Sequence, residues 1–120
     1  MEALLEGALM STGHVNQAVL LGSKGAVMAQ RAVDWTVADA VSLESAVGGQ
    51  NLFELLGRRW NAVRCDKTAI LARCENWHLI VAFGNNTTVI VVSDPGMYPS
   101  IAAEAAMCLA AYLQNNQESA

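Results

Sequence analysis

Basic residues are scarce in this chain, and their scarcity excludes one large class of partners. The 120 residues include seven Lys and Arg against eleven Asp and Glu, which gives a formal net charge of -4 at pH 7. Binding to nucleic acid requires a continuous basic surface that replaces the counterions of the phosphates. We therefore expect no nucleic-acid partner. A local positive patch is still possible, because five of the seven basic residues are close in sequence: Arg58, Arg59, Arg64, Lys67 and Arg73.

Cysteine and long apolar runs are also in short supply. The three cysteines, Cys65, Cys74 and Cys108, are an odd number without a Cys-x-x-Cys pair or a Cys/His metal spacing. This usage is typical of reduced thiols that are buried as small apolar side chains. No apolar run approaches the length of a membrane span, and no basic region precedes the apolar residues of the N-terminus. The sequence predicts a soluble, cytoplasmic protein that does not span a membrane and binds no metal.

Catalytic motifs are missing as well. His14 lies in a polar turn and His78 near the start of a predicted strand, and neither has a Cys, Ser or carboxylate at the spacing of a catalytic triad. Residues 22–25, Gly-Ser-Lys-Gly, lack the G-x-x-x-x-G-K-[ST] spacing of a phosphate-binding loop. We expect neither an enzyme nor a bound cofactor.

The chain opens with a helix and a hairpin. Leucine and alanine recur three and four residues apart over residues 1–10, and Gly13 is a candidate C-cap or turn residue. Residues 18–21 and 26–29 are predicted strands on either side of the turn 22–25.

A second helix is predicted in the middle of the chain. Thr36 can cap it, residues 37–47 supply its apolar positions, and Gly48-Gly49 should end it. Residues 51–57 fit either one more helical turn or a short edge strand, and both alternatives stay open.

The second half is dominated by extended segments. The runs Leu79–Phe83 and Val89–Val92 are continuously apolar, which is typical of strands that are covered on both faces. The pattern predicts an α+β fold. We expect a central, mainly antiparallel sheet of six to seven strands, with the terminal helices on one face and a short middle helix on the other. One domain should span residues 1–120 and end in a polar tail, 114–120. The predicted strands of the meander are 60–65, 68–73, 77–83 and 87–92.

The C-terminal segment combines a turn with an alanine-rich helix. Residues 94–99, Asp-Pro-Gly-Met-Tyr-Pro, predict a chain reversal, and residues 100–113 have strong helix propensity. The helix has no properly polar side, so it is either covered twice or meets a partner. Its predicted core stripe is Ile101, Ala105, Cys108, Leu109 and Tyr112.

Two segments resemble the profilin family. Residues 13–29, Gly-His-Val-Asn-Gln-Ala-Val-Leu-Leu-Gly-Ser-Lys-Gly-Ala-Val-Met-Ala, are similar to the N-terminal hairpin region of profilins. Residues 96–101, Gly-Met-Tyr-Pro-Ser-Ile, with Glu104-Ala105, Leu109 and Tyr112-Leu113, are similar to the C-terminal segment of the divergent, testis-type vertebrate profilins. The resemblance covers nearly the whole chain.

The resemblance implies an actin-monomer-binding regulator of the actin cytoskeleton. It implies actin contacts from the later strands and the last helix. Glu104, in the last helix, replaces a lysine that many profilins carry, and Glu75, after the strand of Arg73, replaces a further basic residue. An actin-related protein is an alternative partner. A further alternative is a phosphoinositide or another anionic phospholipid. The implied actin-contacting residues are Arg59, Arg64, Arg73, Tyr98, Pro99, Glu104 and Met107.

The resemblance also implies a degenerate site for proline-rich ligands. Profilins hold a polyproline helix in an aromatic-lined groove between their terminal helices. Leu5, Met28 and Tyr112 are the implied residues of this site, and only one of them is aromatic. We predict weak or absent polyproline binding.

A roadblock-like scaffold subunit is the alternative from a different class of protein. Its order of helices and strands is partly similar, and its members assemble by extending a sheet across a dimer. The roadblock pattern requires one long middle helix, whereas Gly48-Gly49 interrupts this one and four strands follow.

Overall fold

One antiparallel sheet is the centre of the fold. The computed structural model describes residues 2–22, 25–84 and 86–118. In chain order the elements are α1 (Glu2–Ala8), a short 3-10 turn (Met10–Thr12), β1 (Gln17–Leu21), β2 (Val27–Arg31), α2 (Val37–Val47), β3 (Leu52–Leu55), β4 (Arg58–Cys65), β5 (Ala69–Cys74), β6 (Trp77–Phe83), β7 (Thr88–Ser93) and α3 (Pro99–Glu118). Within the described residues the seven strands lie side by side in the order β2-β1-β7-β6-β5-β4-β3, and all neighbours are antiparallel.

Helices cover both faces of this sheet. The helices α1 and α3 pack on one face, against side chains such as Leu20 and Val91. The helix α2 packs on the other face, where Val19 and Val92 belong to a second apolar cluster. Successive strand residues point to opposite faces, so neighbouring apolar residues enter different clusters. The predicted fold class and the division of the helices between the faces are confirmed.

The middle helix begins and ends where the sequence predicts. The Thr36 hydroxyl accepts the backbone N–H of Asp39, and the Asp39 carboxylate accepts the N–H of Thr36, so two donors at the helix start are satisfied. The helix ends at Val47, and Gly49 follows with a φ of 104°. The other oxygen of Asp39 accepts the N–H of Leu56, which ties the helix start to the next turn.

The ambiguous segment 51–57 is a strand and a turn. Leu52–Leu55 is β3, and Leu56 and Gly57 connect it to β4 with φ values of 54° and 79°. Two successive positive φ values are typical of the two-residue turns that join antiparallel strands. Leucine is rare in such a turn, and for this reason the sequence left helix and strand open.

The last helix differs from the prediction in its rotation and length. Its buried stripe is Ala102, Ala106, Leu109, Ala110 and Leu113, whereas Ile101, Cys108 and Tyr112 of the predicted stripe are exposed. Alanine lies on nearly every side of this helix, so the apolar period does not fix which side faces the sheet.

The helix also continues to Glu118, so residues 114–118 are helical and not a tail. Glutamine and glutamate favour helix, and no Gly or Pro stops it after Leu113. Residues 119 and 120 of the predicted tail lie outside the described residues.

The prediction of buried cysteines is wrong. Cys65 and Cys108 are exposed, Cys74 is half-buried, and all three are free thiols. Cys65 pairs with Ile70 of β5, and Ile70 lies four residues before Cys74 on the same strand, so the two thiols are separated along the strand.

No helix in the described part of the chain is both long and apolar enough to cross a membrane.

Candidate functional site

A groove beside α3 contains two of the predicted contact residues, Arg73 and Pro99. This helix packs over β6 and β7 and leaves the same face of β4 and β5 uncovered. The strands contribute Val63, Leu71, Arg73, His78 and Ile80 to one side of the groove, and α3 contributes Pro99, Ser100 and Ala103 to the other. We call this cavity of about 310 Å³ the strand groove.

A β-bulge shapes the floor of the strand groove. The register of β4 against β5 shifts between Ala62 and Arg64, which leaves Val63 as the extra residue. Val63 is 65% exposed, although it is an apolar residue in a strand. Leu71 and Ile80 continue the apolar surface toward α3. An exposed apolar floor of this kind is typical of a contact surface.

Two polar side chains lie within this apolar floor. Arg73 and His78 face each other across β5 and β6 and both line the strand groove. Arg73 is exposed, and its Nη2 is 3.4 Å from the carbonyl oxygen of Glu75, which is a long hydrogen bond. The Nδ1 atom of His78 is buried and has no hydrogen-bond partner among the described residues. The groove therefore offers one available cation and one unsatisfied ring nitrogen.

The other two predicted strand arginines are paired with carboxylates. Arg59 and Arg64 lie on the same face of the sheet as Arg73, because the β4 and β5 register alternates their side chains with buried Trp60 and Ala72. Arg59 forms an ion pair of 3.6 Å with Glu54 on β3, and Arg64 one of 3.0 Å with Asp66. Exposed pairs of this kind stabilise a fold by only about 0–1 kcal/mol, but each reduces the positive charge that a partner meets.

The turn after β4 holds Asp66 as a carboxylate. Hydrogen bonds from the Thr68 hydroxyl and backbone N–H, at 2.6 and 2.8 Å, and from the Ala69 N–H at 3.0 Å hold the pKa of Asp66 well below its usual range. The charge of Arg64 adds to this effect. Because the folded pKa is lowered, the ionised carboxylate stabilises the turn above the ordinary aspartate pKa, and this stabilisation is lost as the pH falls below it.

The cluster of five basic residues is split between two faces. The guanidinium of Arg58 lies 3.6 Å from the ring centroid of Trp77, which packs in the cluster under α2. Lys67 lines a depression with Val47 of α2. Arg58 and Lys67 therefore do not add to the charge beside the strand groove, and the single positive patch suggested by the sequence does not form.

The predicted residues at the start of α3 lie at different distances from the strand groove. Pro99 begins the helix and lines the groove. Tyr98 precedes it, is 66% exposed, and has its ring against His14. Glu104 and Met107 are exposed on the following turns of α3, on the side away from its buried stripe. Arg73 and Pro99 are thus brought together, whereas Arg59 lies at a separate depression beside β3.

Sequence reasoning missed most of the groove wall. Val63, Ser100 and Ala103 carry no chemical signal, and the bulge that exposes Val63 cannot be read from residue alternation. His78 lies near the start of a predicted strand, and residue type alone does not show that its ring lines a groove. Within the described residues no three His, Cys, Asp or Glu side chains are arranged to hold a metal.

Comparison with known proteins decides the family. The profilin family model matches residues 1–118. The chain belongs to the profilin family. It is 27% identical to mouse profilin-4 over 123 residues, which covers 95% of each chain. The fold matches Acanthamoeba castellanii profilin IA with a TM-score of 0.86, 24% identity and coverage of 97% of this chain and 98% of the other. LokiProfilin2, solved in a complex with rabbit actin, matches with a TM-score of 0.77, 14% identity and 95% coverage of each chain.

These findings confirm the resemblance predicted from the sequence, including its similarity to the testis-type vertebrate profilins. The middle of the chain is the part that distinguishes the profilin and roadblock alternatives. There the helix α2 ends at Val47 and four strands follow β3 in a meander, as in the profilin prediction. The roadblock-like alternative is therefore set aside.

This profilin has a second groove, of about 350 Å³, on the other flank of α3. Leu4 and Ala8 of α1 face Ala105, Cys108 and Tyr112 of α3 across it, and Leu109 forms part of its floor. We call this cavity the helix groove. Tyr112 is its only aromatic residue among the described lining residues.

Two of the three residues predicted for the polyproline site are not in the helix groove. Leu5 is 1% exposed and belongs to the core under α1 and α3, so it cannot reach a ligand. Its neighbour Leu4 lines the groove instead, because one step along a helix rotates a side chain by about 100°. Met28 on β2 is half-buried against the same core and is not among the residues that line the groove. Of the three residues, Tyr112 alone lines the helix groove.

Proposed function

We propose that this profilin binds actin monomers through the strand groove and the adjacent turns of α3. The observation that carries this proposal is the position of Arg73. Its exposed guanidinium stands at an apolar groove that also includes the first residues of α3. Membership of the profilin family and the likeness to LokiProfilin2, which was solved with rabbit actin, support actin as the partner.

The chemistry of the groove suits a protein surface. Val63, Leu71 and Ile80 offer apolar area that becomes buried on contact, while Arg73 can pair with a partner carboxylate. The Nδ1 atom of His78 is buried without a partner in the free protein, so a partner donor or a trapped water that reaches it relieves a desolvation cost. Tyr98 and Met107 extend the contact along the helix as exposed apolar groups.

The remaining charges set the strength of this contact. Arg59 and Arg64 add less attraction than a count of arginines suggests, because Glu54 and Asp66 partly neutralise them. Glu104 adds a negative charge on the exposed side of α3. We infer a modest affinity for an acidic partner. For anionic phospholipid the division of the basic residues between two faces argues against strong binding, because membrane attraction adds only about 1 kcal/mol per basic residue near the surface.

The proposal is tested by titrating the protein into fluorescently labelled monomeric actin. We expect saturable binding by the wild type and at least about tenfold weaker binding by Arg73→Glu, because a reversed charge faces the partner's carboxylates. Lys67→Glu is the matched control, since this cation lies beside α2 on the other side of the sheet. Thermal unfolding of both variants checks that the fold is intact.

Two results would contradict the proposal. Equal losses in Arg73→Glu and Lys67→Glu would mean that overall charge, and not the strand groove, determines binding. No saturable binding by the wild type up to about 100 μM would remove actin as the partner. An actin-related protein, titrated in the same way, is then the next partner to test.

We also propose that the helix groove binds polyproline weakly or not at all. Proline-rich peptides are held by flat aromatic rings that pack against a preformed helix. Among the described residues of the helix groove, Leu4, Ala8, Ala105 and Cys108 provide no ring, and Tyr112 provides one.

A further inference from the structure

A histidine from the N-terminal part of the chain contacts the beginning of α3. The Nδ1 atom of His14 accepts the backbone N–H of Tyr98 at 3.1 Å, across 84 residues of sequence. The two rings are also in contact, with centroids 5.3 Å apart and planes inclined by 44°. The contact therefore combines a hydrogen bond to the backbone with ring packing.

Tyr98 is the residue immediately before the first residue of α3. Its carbonyl oxygen accepts the N–H groups of Ile101 and Ala102, at 3.1 and 3.4 Å, as the first turn of the helix requires. Its own N–H precedes the helix and has no acceptor within it. The His14 ring supplies that acceptor, and the next residues, Pro99 and Ser100, line the strand groove.

His14 is itself fixed to the sheet. Its backbone N–H donates to the Thr12 hydroxyl at 3.2 Å, and its carbonyl oxygen accepts the hydroxyl of Ser93 at 2.7 Å. Ser93 ends β7 and is fully buried. The ring of His14 is thus attached to the rigid end of the sheet on one side and to the start of α3 on the other.

We propose that His14 is a positioning residue for the helix wall of the strand groove. By accepting the Tyr98 N–H it fixes where α3 leaves the sheet, and so fixes Pro99 and Ser100 relative to Arg73 on β5. The role in partner binding rests on the proposed function. Only a neutral imidazole with an unprotonated Nδ1 can accept this hydrogen bond, because both nitrogens of the charged ring are donors.

The turn between Ser93 and Tyr98 is held by a further side chain. The Asp94 carboxylate accepts the side-chain amide of Asn16 at 3.3 Å and the N–H of Gly96 at 2.9 Å. The Tyr98 phenol belongs to the ring in contact with His14.

Two substitutions separate the acceptor from the ring. His14→Asn can keep an oxygen acceptor near the position of Nδ1 but removes the ring, whereas His14→Phe keeps a ring and removes the acceptor. The first readout is hydrogen exchange of the Tyr98 amide in the free protein. We expect His14→Phe to accelerate exchange by at least about tenfold and His14→Asn to retain most of the protection.

The second readout is the dissociation constant for labelled monomeric actin at pH 7.5. We expect His14→Phe to bind about three- to tenfold more weakly than the wild type at pH 7.5. His14→Asn keeps an acceptor for the Tyr98 N–H and should bind actin within about twofold of the wild type.

The outcomes distinguish this inference from the proposed function. Unchanged Tyr98 exchange in His14→Phe would overturn the positioning role, and so would equal weakening of actin binding in His14→Phe and His14→Asn. Faster Tyr98 exchange together with no actin binding by any protein would contradict the proposed function, and the role of His14 in binding with it, while retaining its role at the start of α3.

Discussion

The two grooves on either side of α3 share one helix and one sheet face but differ in chemistry. The strand groove has an apolar floor with Arg73 and His78 set into it, and a backbone bulge exposes Val63 there. The helix groove is lined by small and aliphatic side chains and by Tyr112. One surface combines apolar area with a cation, whereas the other has few groups that could orient a ligand.

The two grooves differ because different elements flank α3 on its two sides. The helix approaches the sheet closely because its buried stripe includes Ala102, Ala106 and Ala110. Because this helix carries small side chains, a groove remains on each of its flanks. Arg73 and His78 line the groove on the strand flank, and Leu4 and Ala8 of α1 line the groove on the other flank.

The largest effect is expected from breaking the shared support of both grooves. Ala106 is fully buried between α3 and the sheet. Ala106→Leu should lower the free energy of unfolding by about 1–3 kcal/mol, because a larger side chain forces the helix away from the sheet. Chemical denaturation measures this change.

Ala111→Leu is the matched control, because Ala111 is exposed on the same helix and Leu has a similar helix propensity. We expect a change within about 0.5 kcal/mol. Equal stability of the two variants would contradict the close packing of α3 described above.

A smaller effect is expected from changing the charge at the edge of the strand groove. Glu104→Lys should strengthen binding to monomeric actin by about two- to fivefold, because it removes the acidic side chain from a face that presents Arg73 to an acidic partner. Titration of labelled actin measures it.

Glu44→Lys is the control for this substitution, since Glu44 is exposed on α2 at the other face of the sheet. It changes the net charge equally and should leave the affinity unchanged. Weaker binding by Glu104→Lys would show that the partner carries a basic group opposite α3.

The smallest response is expected from the helix groove. A proline decapeptide should cause no saturable change in tryptophan fluorescence or in the amide signals of Leu4 and Ala8 up to about 1 mM peptide. The reason is the lack of aromatic surface around Tyr112. Saturation at micromolar peptide would mean that aliphatic side chains can replace the rings, and the contrast between the grooves would then disappear.

Much of the fold could be predicted because several signals agree. The apolar runs Leu79–Phe83 and Val89–Val92 predict strands with two covered faces, and both lie in the centre of the sheet. Thr36 predicts the start of α2, and the structure confirms it with a reciprocal cap. In these segments local propensity and burial favour the same structure.

The site was less predictable because it depends on relations between strands. The pairing of Arg59 with Glu54 follows from the β3 and β4 register, and the exposure of Val63 follows from a bulge. Neither is encoded by residue type at one position. The rotation of α3 was missed for another reason, since alanines on most sides of the helix make its period uninformative.

Actin binding at the strand groove is tested most directly by an amide footprint of unlabelled monomeric actin on the isotope-labelled protein. We expect actin to broaden or shift the signals of Val63, Arg73 and Ala103 in the strand groove. The signals of Leu4 and Ala8 in the helix groove should stay unchanged. A footprint on the helix groove or on α2, with the strand groove unaffected, would contradict binding at the strand groove.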